Sequence, residues 1–263
     1  LSNKLISQIE INSLEKLDFL DSLLLSSNLL TSLKQGVFIN LRKLKNLDMS
    51  INNLVDLKNM TFIGLKNLNS LSLSFNKINS IDVNAFYELS YLEKLVLSHN
   101  KIKNIKSGFF ITLKNLIELD LADNLIEIID RDSFSNLNNL VVLELSNNNL
   151  YSISADLFEG FMNLEQLNLM NNFILHFNGE FKNLLKLKSF SLTNNKIKVL
   201  NINLIKQLSN LISLDFSNNK IKYLDKFSNF EYLESLYLNQ NEIQIIQNDT
   251  FSNLANLESL ELN

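Results

Sequence analysis

The chain has no cysteine, no proline and no tryptophan, and it holds two histidines and five glycines in 263 residues. Without cysteine there is no disulfide, thiolate metal site or thiol nucleophile within it. Repeat bodies in oxidising surroundings often need none, so the compartment stays open. No apolar run approaches the roughly 18 residues of a membrane span. Glycine is too sparse for a phosphate-cradling loop, and His99 and His176 stand at unrelated places in the sequence pattern, so no nucleophile, base and orienter assemble. These absences exclude most enzyme classes, and no metal or cofactor is called for.

What the chain has in excess is asparagine at a fixed interval. Asn28, Asn52, Asn76, Asn100, Asn124, Asn148, Asn172, Asn195, Asn219 and Asn241 each follow an apolar residue by three positions and precede another by two, in the pattern L-x-x-L-x-L-x-x-N-x-L. Ten full repeats start at Leu20 and fill residues 20–256, with a partial repeat at 1–19 and another at 257–263. A period of about 24 residues specifies a solenoid whose units share one continuous core. We therefore expect one domain over 1–263, forming a segment of a longer chain. With both ends cut inside a repeat, Leu20–Leu25 and Leu257–Leu262 are expected to fray or self-associate.

Within a repeat, Leu95 and Leu97 alternate with Val96 as in a short strand, so the leucines face one side and Val96 the other. Strands recurring in one sense form a parallel sheet. Asn100 follows where the backbone turns away, and its amide can donate and accept, tying its own turn to the adjoining one. A second row, Phe38, Phe62, Phe86, Phe110, Phe134, Phe158, Phe181, Phe227 and Phe251, broken by Ile205, keeps phase with the leucines and reads as a core spine. Two repeats are short in the segment after the asparagine, at Phe177–Phe181 and Leu224–Phe227, where curvature or twist should change.

Spacing, asparagine ladder and phenylalanine spine together resemble the leucine-rich repeat superfamily in its 24-residue "typical" class, over nearly the whole chain. The resemblance implies an α/β solenoid, a curved horseshoe whose parallel sheet lines the concave face and whose convex segments are irregular or short-helical. It also implies a secreted or cell-surface setting, as in Toll-like, Slit-like and chaoptin-like proteins, with receptor or adhesion roles. An intracellular, cytoplasmic adaptor scaffold is the alternative. The chain departs from the class in lacking proline after the turn and the Cys-rich caps.

Outward strand positions are expected to be free of packing duties and hence to carry function. With the residues just after each strand they collect twelve acids: Asp21, Asp48, Glu93, Glu118, Asp120, Asp123, Glu144, Glu165, Asp215, Glu234, Glu258 and Glu261. Only Lys45, Lys94 and Lys188 oppose them, giving this face a charge of −9 and the remainder +5 against a net −4. Lys77, Lys101, Lys196 and Lys220 directly follow ladder asparagines and should line a rim. An acidic face repels phosphates, so nucleic acid is not expected there, and a protein ligand with a basic surface is. Asp120 and Glu144 could share a proton as an acid/base dyad, but an open charged sheet is a poor place to tune a pKa.

One strip stands apart. Ile51, Phe75 and His99 occupy the same position in successive repeats, with Val96, Val141 and Val142 nearby, while Asn147, Asn171, Asn194, Asn218 and Gln240 take that position later. Apolar anchors dominate binding energy, so Ile51, Phe75, Val96 and His99 are candidate contacts, joined by Asp120, Glu144, Asp215 and Tyr237 on the strands. Ten strands at about 4.8 Å would present on the order of 750 Å², close to the roughly 800 Å² each partner gives a standard interface. Asn59-Met-Thr and Asn248-Asp-Thr are candidate glycosylation sequons, in a chain rich enough in asparagine, serine and threonine to produce two by chance.

Overall fold

The computed structural model describes residues 1–263, which form two compact units, Leu1–Leu140 and Val141–Asn263. In the first unit, β1 (Ser22–Leu24), β2 (Asn46–Asp48), β4 (Ser70–Ser72), β6 (Lys94–Val96) and β8 (Glu118–Asp120) pair in that order in a parallel sheet. Between them run two short parallel pairs, β3 (Asp56–Leu57) with β5 (Ser80–Ile81) and β7 (Asn104–Ile105) with β9 (Ile128–Ile129). In the second unit, β10 (Val142–Glu144), β12 (Gln166–Asn168), β14 (Ser189–Ser191), β15 (Ser213–Asp215), β16 (Ser235–Tyr237) and β17 (Ser259–Glu261) form the equivalent sheet. There β11 (Ser152–Ser154) pairs with β13 (His176–Asn178).

Register follows the repeat without slippage. Leu23, Leu47, Leu71, Leu95 and Leu119 are successive partners, as are Leu167, Phe190, Leu214, Leu236 and Leu260. A shift of one residue would turn each leucine to solvent, so the buried face holds the register. Leu95 and Leu97 are fully buried while Val96 between them is part-exposed, as the alternation required.

The expected asparagine ladder forms in each unit. The Asn100 amide donates to the carbonyls of Leu73, Leu97 and Ser98 at 3.0, 3.0 and 3.2 Å, while its Oδ1 accepts from the Ile78 N–H at 2.9 Å. Asn76 and Asn219 repeat the arrangement. Each rung satisfies buried backbone groups of two repeats, which explains why no other side chain serves: both a donor and an acceptor are needed in one short amide.

On the opposite side the phenylalanines stack with centroids 5.9–6.3 Å apart from Phe38 to Phe134, and Phe158–Phe181 and Phe227–Phe251 stack in the second unit at 5.7 and 5.8 Å. The convex segments are turns, with 3-10 helices only at Ala155–Phe158 and Ile202–Leu204. At the first edge, Leu23 and Leu25 are 4% and 1% exposed, with Leu24 between them 52% exposed. Residues 1–6 complete the preceding turn, with the Lys4 and Ile6 N–H groups donating to Asn28 Oδ1. At the other end Leu260 and Leu262 are 39% and 37% exposed.

Candidate functional site

The residue before each ladder asparagine carries the most informative geometry. Ile51, Phe75 and His99 have φ of 53°, 54° and 53°, and Asn147, Asn171, Asn194 and Asn218 lie between 52° and 55°. This left-handed conformation is part of the turn: the Ile51, Phe75 and His99 N–H groups reach the carbonyls of Ser74, Ser98 and Ala122 in the next repeat. Asparagine tolerates it, whereas a β-branched isoleucine is a genuine outlier and costs about 1–2 kcal/mol.

The second unit accordingly uses the row for structure. Asn171 donates to Asn147 Oδ1 at 2.6 Å, Asn194 to Asn171 Oδ1 at 2.5 Å and Asn218 to Asn194 Oδ1 at 3.0 Å. The first unit keeps Ile51 54% and Phe75 53% exposed, with Phe75 stacked on His99 at 4.0 Å and His99 Nε2 at 3.5 Å from Asp123 Oδ2. Three sequence-selected residues thus stand on one ledge, with Asp123 at its end. Sequence reading treated the later asparagines as loss of a hot spot; their backbone role was legible only in the φ angles.

Some of the strand candidates also carry structural duties. Val96, Asp120, Glu144, Asp215 and Tyr237 are all part-buried between neighbouring strands, and outward positions are not all free of structural duty. Asp120 Oδ1 accepts the Ala122 N–H at 3.0 Å and Asp215 Oδ1 accepts the Ser217 N–H at 2.8 Å. Asp48 and Asn168 do the same for Ser50 and Met170. Each of these short side chains closes an Asx turn at its strand end.

The opposing lysines are spoken for as well. Lys45 meets Asp21 at 3.0 Å, Lys94 meets Glu118 at 2.7 Å and Lys188 meets Glu165 at 2.8 Å. All are surface pairs worth at most about 1 kcal/mol, but they leave the other acids of the face in excess. His99 belongs to the ledge and His176 to β13 of the second unit. Asn59 and Asn248 are exposed, and the threonines of their sequons have a local reason to exist: buried Thr61 and Thr250 donate to the carbonyls of Lys58 and Gln247.

A feature not singled out in the sequence lies in the second unit. Beside its sheet runs a groove of about 650 Å³, lined among others by Ile212, Tyr232, Glu234 and Glu258. The two glutamates were visible as charges, but nothing in the pattern placed Tyr232 beside them.

The family model described as "Leucine rich repeat" matches residues 42–102, 90–150, 138–197 and 224–263. The chain belongs to the leucine-rich repeat family. No curated protein matches it. Among solved structures, this leucine-rich repeat chain is similar to TLR13 in its ssRNA13 complex, with 31% identity and a TM-score of 0.87 over 95% of this chain and 37% of the other. It is similar to a chain of the Toll–Spatzle complex of Drosophila, with 24% identity and a TM-score of 0.81 over 98% and 39%. A leucine-rich repeat protein of Leptospira interrogans gives 25% identity and a TM-score of 0.71 over 100% and 77%. The chain therefore spans under two fifths of the length of the first two.

Proposed function

We propose that the chain is a non-enzymatic recognition scaffold that holds a protein partner on the outward side of its sheet, within a cell-surface or secreted receptor or adhesion protein. The observation that carries this reading is the ledge of the first unit. Ile51 and Phe75 keep about half of their surface in solvent at a left-handed position, where the second unit carries Asn147, Asn171, Asn194 and Asn218. Backbone strain at exposed apolar residues that nothing in the fold requires points to a contact role. Phe75, preordered by its stack on His99, is the anchor, and Ile51 extends it.

Acid excess on the face suits a partner with basic residues around an apolar centre, since opposed potentials speed encounter and discriminate between partners. In the second unit, Asp215 and Tyr237 belong to its own outward surface. TLR13 and Toll, similar in fold, are found with ssRNA and with Spatzle respectively, and the charge of this chain's face favours the protein class.

The test is binding of soluble chain to a panel of secreted and ectodomain proteins, followed by Phe75→Asn, Ile51→Asn and Asp120→Asn in the chain. Asparagine suits the left-handed turn and preserves the Asx acceptor, so each variant keeps the fold. Loss of about tenfold or more for Phe75→Asn is expected of a buried aromatic anchor. Unchanged binding by all three variants, or capture of oligoribonucleotide in preference to protein, would remove this reading.

A further inference from the structure

The groove of the second unit departs from the repeat in two independent ways. Its glutamates sit at the residue preceding each strand, where Asp21 is followed by Lys45 and Glu165 by Lys188 in the next repeat, and Glu93 stands between Asn69 and Ile117. Glu234 and Glu258 stand side by side instead. They precede Ser235 and Ser259, which are register partners, and the Glu258 N–H donates to the Glu234 carbonyl at 2.8 Å. The two side chains thus leave adjacent strands about 5 Å apart. Neither takes part in an ion pair. Like charges on neighbouring strands repel, and the fold leaves that repulsion in place.

Tyr232 is the second departure. At the residue before the first leucine of a repeat, Asn210 and Asn256 donate to the carbonyls of Leu185 and Glu231 at 2.6 and 2.5 Å, and Asn67, Asn115 and Asn139 make the same tie in the first unit. Tyr232 lacks that amide, as Tyr91 does in the first unit, and presents a ring that is 57% exposed. Ile212 lies against the same groove, half-buried.

We propose that this groove receives an arginine side chain of the protein partner. A guanidinium is planar, carries five donors in a fork and stacks on aromatic faces. Here its face lies on Tyr232, its N–H groups reach the carboxylates of Glu234 and Glu258, and its aliphatic stem covers Ile212. Lys188, tied to Glu165, and Lys186, whose Nζ donates to Asn163 at 2.6 Å, place positive charge at the other end and so fix the direction of entry. The inference rests on the reading of the sheet as a protein-binding face, yet it does not depend on the ledge of the first unit.

The probe is N-acetylarginine amide, titrated into the 263-residue chain while the Tyr232 ring and Ile212 methyl signals are followed by NMR. Saturable binding with Kd of about a millimolar is expected of one charge-assisted contact. The citrulline analogue, isosteric but uncharged, should bind at least ~10-fold more weakly, and the lysine analogue about threefold more weakly. Tyr232→Asn installs the residue that the flanking repeats carry, and Glu234→Gln with Glu258→Gln keeps shape, so both variants retain the fold; each should weaken arginine about 5- to 10-fold. Equal binding of citrulline, unchanged affinity in the glutamine variant, or a straight unsaturable titration would overturn the assignment. Should the probe fail while Phe75→Asn still abolishes capture of the partner, the groove is refuted and the recognition reading stands. The reverse outcome leaves the groove standing and removes the ledge.

Discussion

Exchanging residues between the two halves of the left-handed row tests the positional reasoning from both sides. In Asn171→Ile the new side chain must adopt φ near 55°, at about 1–2 kcal/mol, and the bonds to Asn147 and from Asn194 disappear, at about 0.5 kcal/mol each near the surface. Both effects share a sign, so the loss is about 2–3 kcal/mol. Unfolding entropy of about 2.1 cal/mol/K per residue over 263 residues gives about 0.55 kcal/mol/K, so the transition should fall by about 4–5 °C.

The reciprocal Ile51→Asn relieves the same strain. Ile51 is 54% exposed, so burial of less than half its side chain is given up, about 0.7–1.4 kcal/mol of the usual 1.5–3. The two nearly cancel, and the midpoint should stay within about 2 °C of the parent. Leu54→Asn, three residues away and fully buried, provides the scale of a core lesion, at about 4 kcal/mol. Thermal and urea unfolding by far-UV circular dichroism reads all three, and hydrogen exchange at the Asn171 and Asn194 amides reports whether the loss is local. If Asn171→Ile were as stable as the parent, or Ile51→Asn as damaging as Leu54→Asn, the row would not be a strained surface ledge.

Asn100→Ala strands the Ile78 N–H and removes one of the two amide donors from each of the Leu73 and Leu97 carbonyls, which keep Asn76 and Asn124, so a loss of about 1–3 kcal/mol is expected in urea unfolding. Gly64→Ala should be far worse than Gly36→Ala, because a Cβ at Gly64 would lie 2.5 Å from Ile39 Cα while one at Gly36 meets nothing within 4 Å. Both have positive φ, so Gly36→Ala should cost only the conformational share of about 1 kcal/mol, and equal midpoints for the two would refute the close-approach argument. Asp120→Asn should retain the bond from the Ala122 N–H and lie within about 0.5 kcal/mol of the parent, whereas Asp120→Ala should lose about 1 kcal/mol. Indistinguishable denaturation midpoints for the latter pair would mean that the Asx turn contributes nothing.

Reading of the sequence went furthest where one residue type answers one physical demand at a fixed interval. Leu95, Phe86 and Asn100 are each dictated by burial, stacking or paired donor and acceptor needs, so phase, register and ladder were all visible in the letters. Of the site, exposure of Ile51 and Phe75 and their company with His99 followed from periodicity, because a residue off the leucine phase cannot reach the core. Duties that depend on backbone torsion were hidden: Asp120 looked like a spare charge until its bond to the Ala122 N–H was seen.

The sequence by itself determined the repeat, the buried face and the segregation of charge, since all three are properties of residues taken one period apart. Only the tertiary structure decided which outward residues are committed to turns and which are left over. That distinction arises from contacts between repeats, where Asn171 spends its amide on Asn147 and Asn194 while Tyr232 makes no tie of the kind Asn210 and Asn256 make and lines the groove beside Glu234 and Glu258. A pattern of letters records what sits at each position; whether a side chain has surface and hydrogen-bonding capacity to spare depends on the neighbours that the fold brings within reach.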